Sequence, residues 1–207
     1  MNTLFKIIDK YAAFEAEVRS CMSKISGDQC CVCKAVCCQP EFCEESLSSP
    51  FLKCVRRHFV PDAVYDAANG WLTPAGCALP VGRPPVCYQF FCRAILATQL
   101  TAQSRYAIAI LSNLVAHAGK NVSGRRHIVE LQNASQLRGI NLSRFERQLN
   151  EAANAFDLVR AYLDGEIAEL HPSPTLMKIS TVPVGLFAGR SGRGSGRPQS
   201  KRTCAGG

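Results

Sequence analysis

No stretch of this 207-residue chain is apolar for long enough to cross a bilayer as a helix. The longest charge-free apolar run, Tyr106 to Gly119, is 14 residues and contains Ser112, Asn113 and His117, whereas a span needs about 20 predominantly apolar residues. By a similar test no secretory leader is expected. Lys6, Asp9, Lys10, Glu15, Glu17 and Arg19 interrupt the start of the chain, where an uninterrupted apolar segment of about 7–15 residues is required. The expectation is a soluble cytoplasmic protein whose thiols stay reduced. The Asn-X-Ser triplets at Asn121, Asn133 and Asn141 are then chance matches.

Catalytic signatures are missing too. There is no GxSxG, phosphate-binding loop, GxGxxG or HExxH, so those reaction classes have no support and enzymatic activity stays an open question. Acidic residues are absent from the C-terminal end. Six of the 24 basic residues (Lys178, Arg190, Arg193, Arg197, Lys201, Arg202) and none of the 16 acidic ones lie in 178–207. Most of the formal +8 charge therefore belongs to a Gly-rich tail, which is expected to be disordered over 180–207. Phe187 is the last aromatic residue. Base stacking is not encoded after it, so nucleic-acid binding through the tail is disfavoured.

What the chain has in excess is cysteine. Ten of its 12 cysteines fall between Cys30 and Cys92: Cys30, Cys31, Cys33, Cys37, Cys38, Cys43, Cys54, Cys77, Cys87 and Cys92. Core packing does not produce such local density, and reduced thiols crowded together without an ion are an oxidation liability. Cys30-x2-Cys33 is a metal-knuckle spacing that lets two thiolates converge on one ion. Cys37 and Cys38 follow within a turn, and Cys77, Cys87 and Cys92 supply thiols from a second segment. A metal held by both segments would tie an early loop to a later one, and its binding energy would be folding energy. Cys30, Cys33, Cys37, Cys38, Cys77 and Cys87 are the leading candidate ligands. Cys92, Cys43, Cys54 and Cys31 come second. Four thiolates suit zinc or an iron–sulfur cluster alike, so the cofactor is zinc or iron. Cys21 falls on an apolar helix face and reads as core, and Cys204 reads as a free tail thiol. His58, beside Arg56 and Arg57, is a candidate fourth ligand but reads first as a solvated surface residue. Glu41, Glu44 and Glu45 are candidate acid/base groups near a metal, with a solvated acidic loop the simpler reading.

The order of these blocks resembles the YkgJ-type CxxCxxCC family, described as zinc- or iron-chelating domains of small cytoplasmic proteins. Cys30, Cys33, Cys37 and Cys38 look like its first block, Gly76-Cys77 like its middle cysteine, and Arg83-Pro84-Pro85-Val86-Cys87 like its RPxxC signature. The resemblance covers about residues 30–92 and implies bound zinc or iron. Lys34, Ala35 and Val36 stand where the family has two residues. One relative, the flagellin lysine methylase, is an enzyme. The alternative function is accordingly an iron–sulfur-dependent enzyme or redox protein.

The patterning predicts a mainly α fold. An N-terminal helix occupies 1–27, with Thr3 as cap and Gly27 as stop. An irregular cysteine-rich metal-binding region occupies 28–92, with a helix over 51–59 and a shorter one around 61–68. A C-terminal helical bundle occupies 93–170. Within it one long helix is expected from Arg93 to Gly119, a loop over 120–126, and a short helix over 127–138. A further helix carries Leu142, Phe145, Leu149, Ala152, Phe156, Val159 and Leu163 at alternating spacings of three and four. Ser143 with Glu146 forms its expected capping box. That seam suits another helix of the same chain, or a protein partner or second copy through 142–163.

Overall fold

The computed structural model describes residues 3–32, 40–73, 76–91 and 93–180. It is mainly helical, and the expected basic tail lies outside the described residues. Apolar residues three and four apart build α1 (Thr3–Val32), which buries Ile7, Ile8, Tyr11, Phe14, Val18 and Cys21. This helix runs through Gly27 instead of stopping there. A helical Gly costs only about 1 kcal/mol against Ala, so Gly27 alone does not end the helix. Cys30 and Cys31 consequently belong to the last turn of α1 and not to a loop.

The segment expected to be irregular contains two regular helices, α2 (Pro40–Ser48) and α3 (Pro50–Phe59). Pro50 divides them. It has no N–H to continue α2, and its fixed φ suits the first turn of α3. Ser49 caps α3, its hydroxyl accepting the Leu52 N–H at 3.4 Å. The helix expected near 61–68 does not form. Asp66 competes for the backbone there, its carboxylate accepting the N–H groups of Ala68 at 3.0 Å and Asn69 at 2.7 Å. A two-residue hairpin follows, β1 (Leu72–Thr73) antiparallel to β2 (Gly76–Cys77), with Leu72 opposite Cys77. A single turn, α4 (Val86–Gln89), closes the region.

The long helix expected from Arg93 to Gly119 is two, α5 (Arg93–Thr98) and α6 (Ala102–Ala118). Thr101 and Ser104 cap each other reciprocally at the start of α6, and Leu100, at the break between the two helices, is 83% exposed. A 3-10 turn, Ile128–Glu130, and α7 (Ala134–Arg138) replace the expected helix over 127–138. The seam helix is α8 (Leu142–Leu163), and its Phe145, Leu149, Ala152, Phe156 and Val159 are buried as the spacing requires. Its cap is Asn141 and not Ser143: the Asn141 side chain accepts the Arg144 N–H at 2.8 Å. Glu146 is taken by Lys10 at 2.5 Å and Lys6 at 3.6 Å, across to α1. A last helix, α9 (Pro174–Ser180), was not legible in the pattern and buries Leu176 and Ile179.

Helix α6 is the centre of the core. It packs against α1, α4, α8 and α9, most extensively α8, so the α8 seam is occupied within the chain. Edge-on aromatic pairs join α1 to α3 (Tyr11–Phe51, 5.1 Å) and α1 to α8 (Phe14–Phe156, 6.2 Å), each adding about 0.5–1.5 kcal/mol beyond area burial. A smaller apolar cluster of Cys43, Trp71 and Leu79 lies under α2. Among the described residues no helix is long and apolar enough to cross a membrane.

Candidate functional site

The 81–89 segment, which carries the RPxxC signature, is held by one side chain of α1. Glu15 is fully buried. One carboxylate oxygen accepts the Gly82 N–H at 2.7 Å, and the other accepts the Arg83 N–H at 2.9 Å and the Tyr88 hydroxyl at 2.6 Å. Burial raises the Glu15 carboxyl above its ordinary range, and the three donors oppose that rise. Gly82 makes this approach possible. Its φ is +80°, and a Cβ there would stand 3.3 Å from a Val55 methyl. The Arg83 side chain folds back to donate to the Leu79 carbonyl at 2.6 Å. Cys87, on α4, thus belongs to a segment fixed to the core.

Two of the sequence-predicted ligands meet in the smaller cluster. Cys43 is buried with Trp71 and Leu79, and Cys77 packs against the same group. Burial raises the Cys43 thiol above its ordinary range and Cys77 adds to the rise, while the Trp71 backbone and Arg83 oppose it. Gly70, at φ +63°, lets the backbone pack close against the sulfur: a Cβ there would lie 2.7 Å from Cys43 Sγ. The Trp71 ring is locked below, its Nε1–H donating to the Ser46 hydroxyl at 2.7 Å with the Arg56 guanidinium 4.8 Å above the ring centre. A second guanidinium approaches. Arg19 is held below its ordinary range by burial and by Arg83, while Cys77 acts to raise it. Burial is the largest of the effects on Cys43, so its pKa lies above the ordinary thiol range and the neutral thiol is favoured.

The other candidates are distributed differently. Cys54 packs on the main core and Cys21 is buried within it. Cys87 acts electrostatically on the buried Tyr11 hydroxyl, together with Glu15 and Glu45. Cys33, Cys37, Cys38, Cys92 and Cys204 lie outside the described residues. His58 pairs with Asp9 at 3.3 Å on a half-exposed surface, as a solvated residue does. Among the described residues no three His, Cys, Asp or Glu side chains are grouped to hold a metal ion. Cys43 and Cys77 share one cluster without a third potential ligand grouped with them among the described residues.

Sequence reasoning missed a second feature. A polar cavity of about 410 Å³ opens between α4, α6, α9 and the 120–130 loop, with Glu45 of α2 on its wall. Buried Asn113 and His117, one turn apart on α6, face it. Gln89 of α4 donates to Asn113 at 3.0 Å. His117 Nε2 lies 2.9 Å from Glu151 on α8, and Lys178 of α9 reaches the same carboxylate oxygen at 3.0 Å. In sequence His117 has no acid nearby, because its partner is 34 residues away. Burial lowers the His117 pKa and Glu151 opposes the change. The usable signal was the pair Asn113 and His117, polar at i and i+4 within the longest apolar run. His127 is structural. Nε2–H donates to the Ala116 carbonyl at 2.8 Å and Nδ1 accepts the Val129 N–H at 3.3 Å, which fixes a neutral tautomer. Comparison of the chain with family models, curated proteins and solved structures gives no match.

Proposed function

We propose that this is a metal-binding protein that holds zinc or iron on a multi-cysteine centre in a reducing compartment. The observation that carries the reading is the meeting of Cys43 and Cys77 in one small apolar cluster, with the Gly70 backbone held close against the Cys43 sulfur. The apolar shell around a thiolate site controls solvent access to it. Cys43 and Cys77 are the ligands this geometry favours. Cys30, Cys33, Cys37, Cys38, Cys87 and Cys92 are the pool for the remainder. The resemblance of the cysteine blocks to the CxxCxxCC family is the second support. Cys54 drops out of the ligand set, because it packs on the main core.

The test is metal content across single substitutions in the full chain. Cys43→Ser and Cys77→Ser are each expected to lose most of the bound zinc or iron, and Cys54→Ser to keep it. Equal metal content in all three variants contradicts the assignment. Metal binding links to folding, so chelator is expected to lower the unfolding temperature of wild type and not of Cys43→Ser.

A further inference from the structure

Unpaired charges of opposite sign share the polar cavity. Lys120 and Arg125 line it on the cationic side, and Glu45 and Glu130 on the acidic side. Lys178 also lines it, but its ammonium is engaged by Glu151. Among the described residues none of Lys120, Arg125, Glu45 or Glu130 forms an ion pair within 4.0 Å. Glu130 is close enough to Glu45 to oppose its ionisation. Lys120 acts electrostatically on both His117 and His127, and Glu130 acts on His127. Lys120 and Glu130 thus line the same cavity near His127 without forming an ion pair with each other. A ligand carrying both charges would give each a charge-assisted partner.

The floor is polar and rigid. Asn113 and His117 are 1% and 5% exposed. With Glu151 taking the Nε2–H, the neutral His117 ring keeps its lone pair on Nδ1. The volume, about 410 Å³, is at the lower end of small-ligand sites, roughly 300–1,000 Å³, and is ample for a molecule of amino-acid size. A ligand that completes such walls carries both charges: an ammonium against Glu45 and Glu130, and a carboxylate against Lys120 and Arg125.

We infer that the cavity is a binding site for a small zwitterion of the amino-acid class, bridging Glu130 and Lys120 over the His117–Asn113 floor.

The experiment is NMR on the full chain with ¹⁵N-labelled histidine, titrated with each of the twenty L-amino acids at millimolar concentration. The single-charge controls are propionate and ethylamine, alanine without its ammonium and alanine without its carboxylate. At least one amino acid is expected to shift the His117 and His127 ring signals saturably, and each control to bind at least about tenfold more weakly, the loss of one charge-assisted contact. Lys120→Met and Glu130→Gln should each weaken binding by a similar factor. Glu130→Gln keeps the hydrogen bond that the Glu130 side chain accepts from the His127 N–H and so separates ligand contact from folding. No saturable shift with any amino acid overturns the inference. So does a control that binds as tightly as the amino acid, which holds even if the variants fail to fold.

Discussion

The Glu15 carboxylate accepts the backbone N–H of Gly82 at 2.7 Å across 67 residues of chain. That bond joins the middle of the first helix to the segment preceding Cys87. Arg83 and Tyr88 complete the same anchor, so the placement of the RPxxC loop is a property of α1. Glu15→Ala leaves three donors without a partner, two of them fully or nearly buried, at roughly 1–3 kcal/mol each. The expected loss is about 3 kcal/mol or more, read from urea unfolding. Faster reaction of the Cys87 thiol with a thiol reagent should accompany it. Glu15→Gln should cost less, because only the Gly82 or the Arg83–Tyr88 side then faces an NH₂.

Gly70→Ala tests the cradle around Cys43. The new Cβ would stand 2.7 Å from the sulfur, and the φ of +63° is unfavourable for any L side chain. A loss of about 1–3 kcal/mol is expected, with reduced metal content. Trp71→Phe loses the hydrogen bond to Ser46, the Arg56 contact and part of the buried ring, so a loss of about 1–3 kcal/mol is expected, read from urea unfolding.

The two buried histidines predict an acid-sensitive fold. Burial lowers the pKa of both; Glu151 opposes this at His117 while Lys178 and Lys120 reinforce it, and Ala116 and Glu130 oppose it at His127 while Lys120 reinforces it. A folded pKa below the unfolded value means that stability is full above about pH 6.5 and falls as pH drops through the lowered pKa. Glu15 has the opposite sign. Its raised carboxyl contributes stability below the unfolded value that is lost as pH rises through the folded one. The histidine part is therefore read as a difference: His127→Gln should flatten the decline between pH 7 and 5 relative to wild type, measured as unfolding midpoints. An unchanged slope contradicts the burial assignment.

Asn141→Ala should destabilise by about 1 kcal/mol through loss of the α8 cap, and Ser143→Ala by much less. Equal effects would return the cap to Ser143.

The regular parts of the fold were legible because burial and period agree. Phe145, Leu149, Ala152, Phe156 and Val159 are buried as their spacing predicts, and α3 falls where Phe51–Phe59 places it. Boundaries failed where local polar chemistry outweighs pattern. Thr101 and Ser104 break an apolar stripe, Asp66 unwinds a short helix, and Asn141 takes a cap from Ser143. Among the described thiols, Cys43 ranks second by spacing, yet it is buried beside Cys77, Trp71 and Gly70. Nothing in the spacing encodes that packing. Glu15 looked like an ordinary polar position on an amphipathic helix. Its role depends on a contact with residues 82–88 that no local pattern carries, and the same holds for the His117–Glu151 pair.

The most direct measurement is elemental analysis with absorption spectroscopy on the full chain purified without oxygen. The account predicts at least one zinc or iron per chain, colourless if zinc and brown with absorption near 400 nm if an iron–sulfur cluster. A metal-free protein that stays folded in chelator contradicts it.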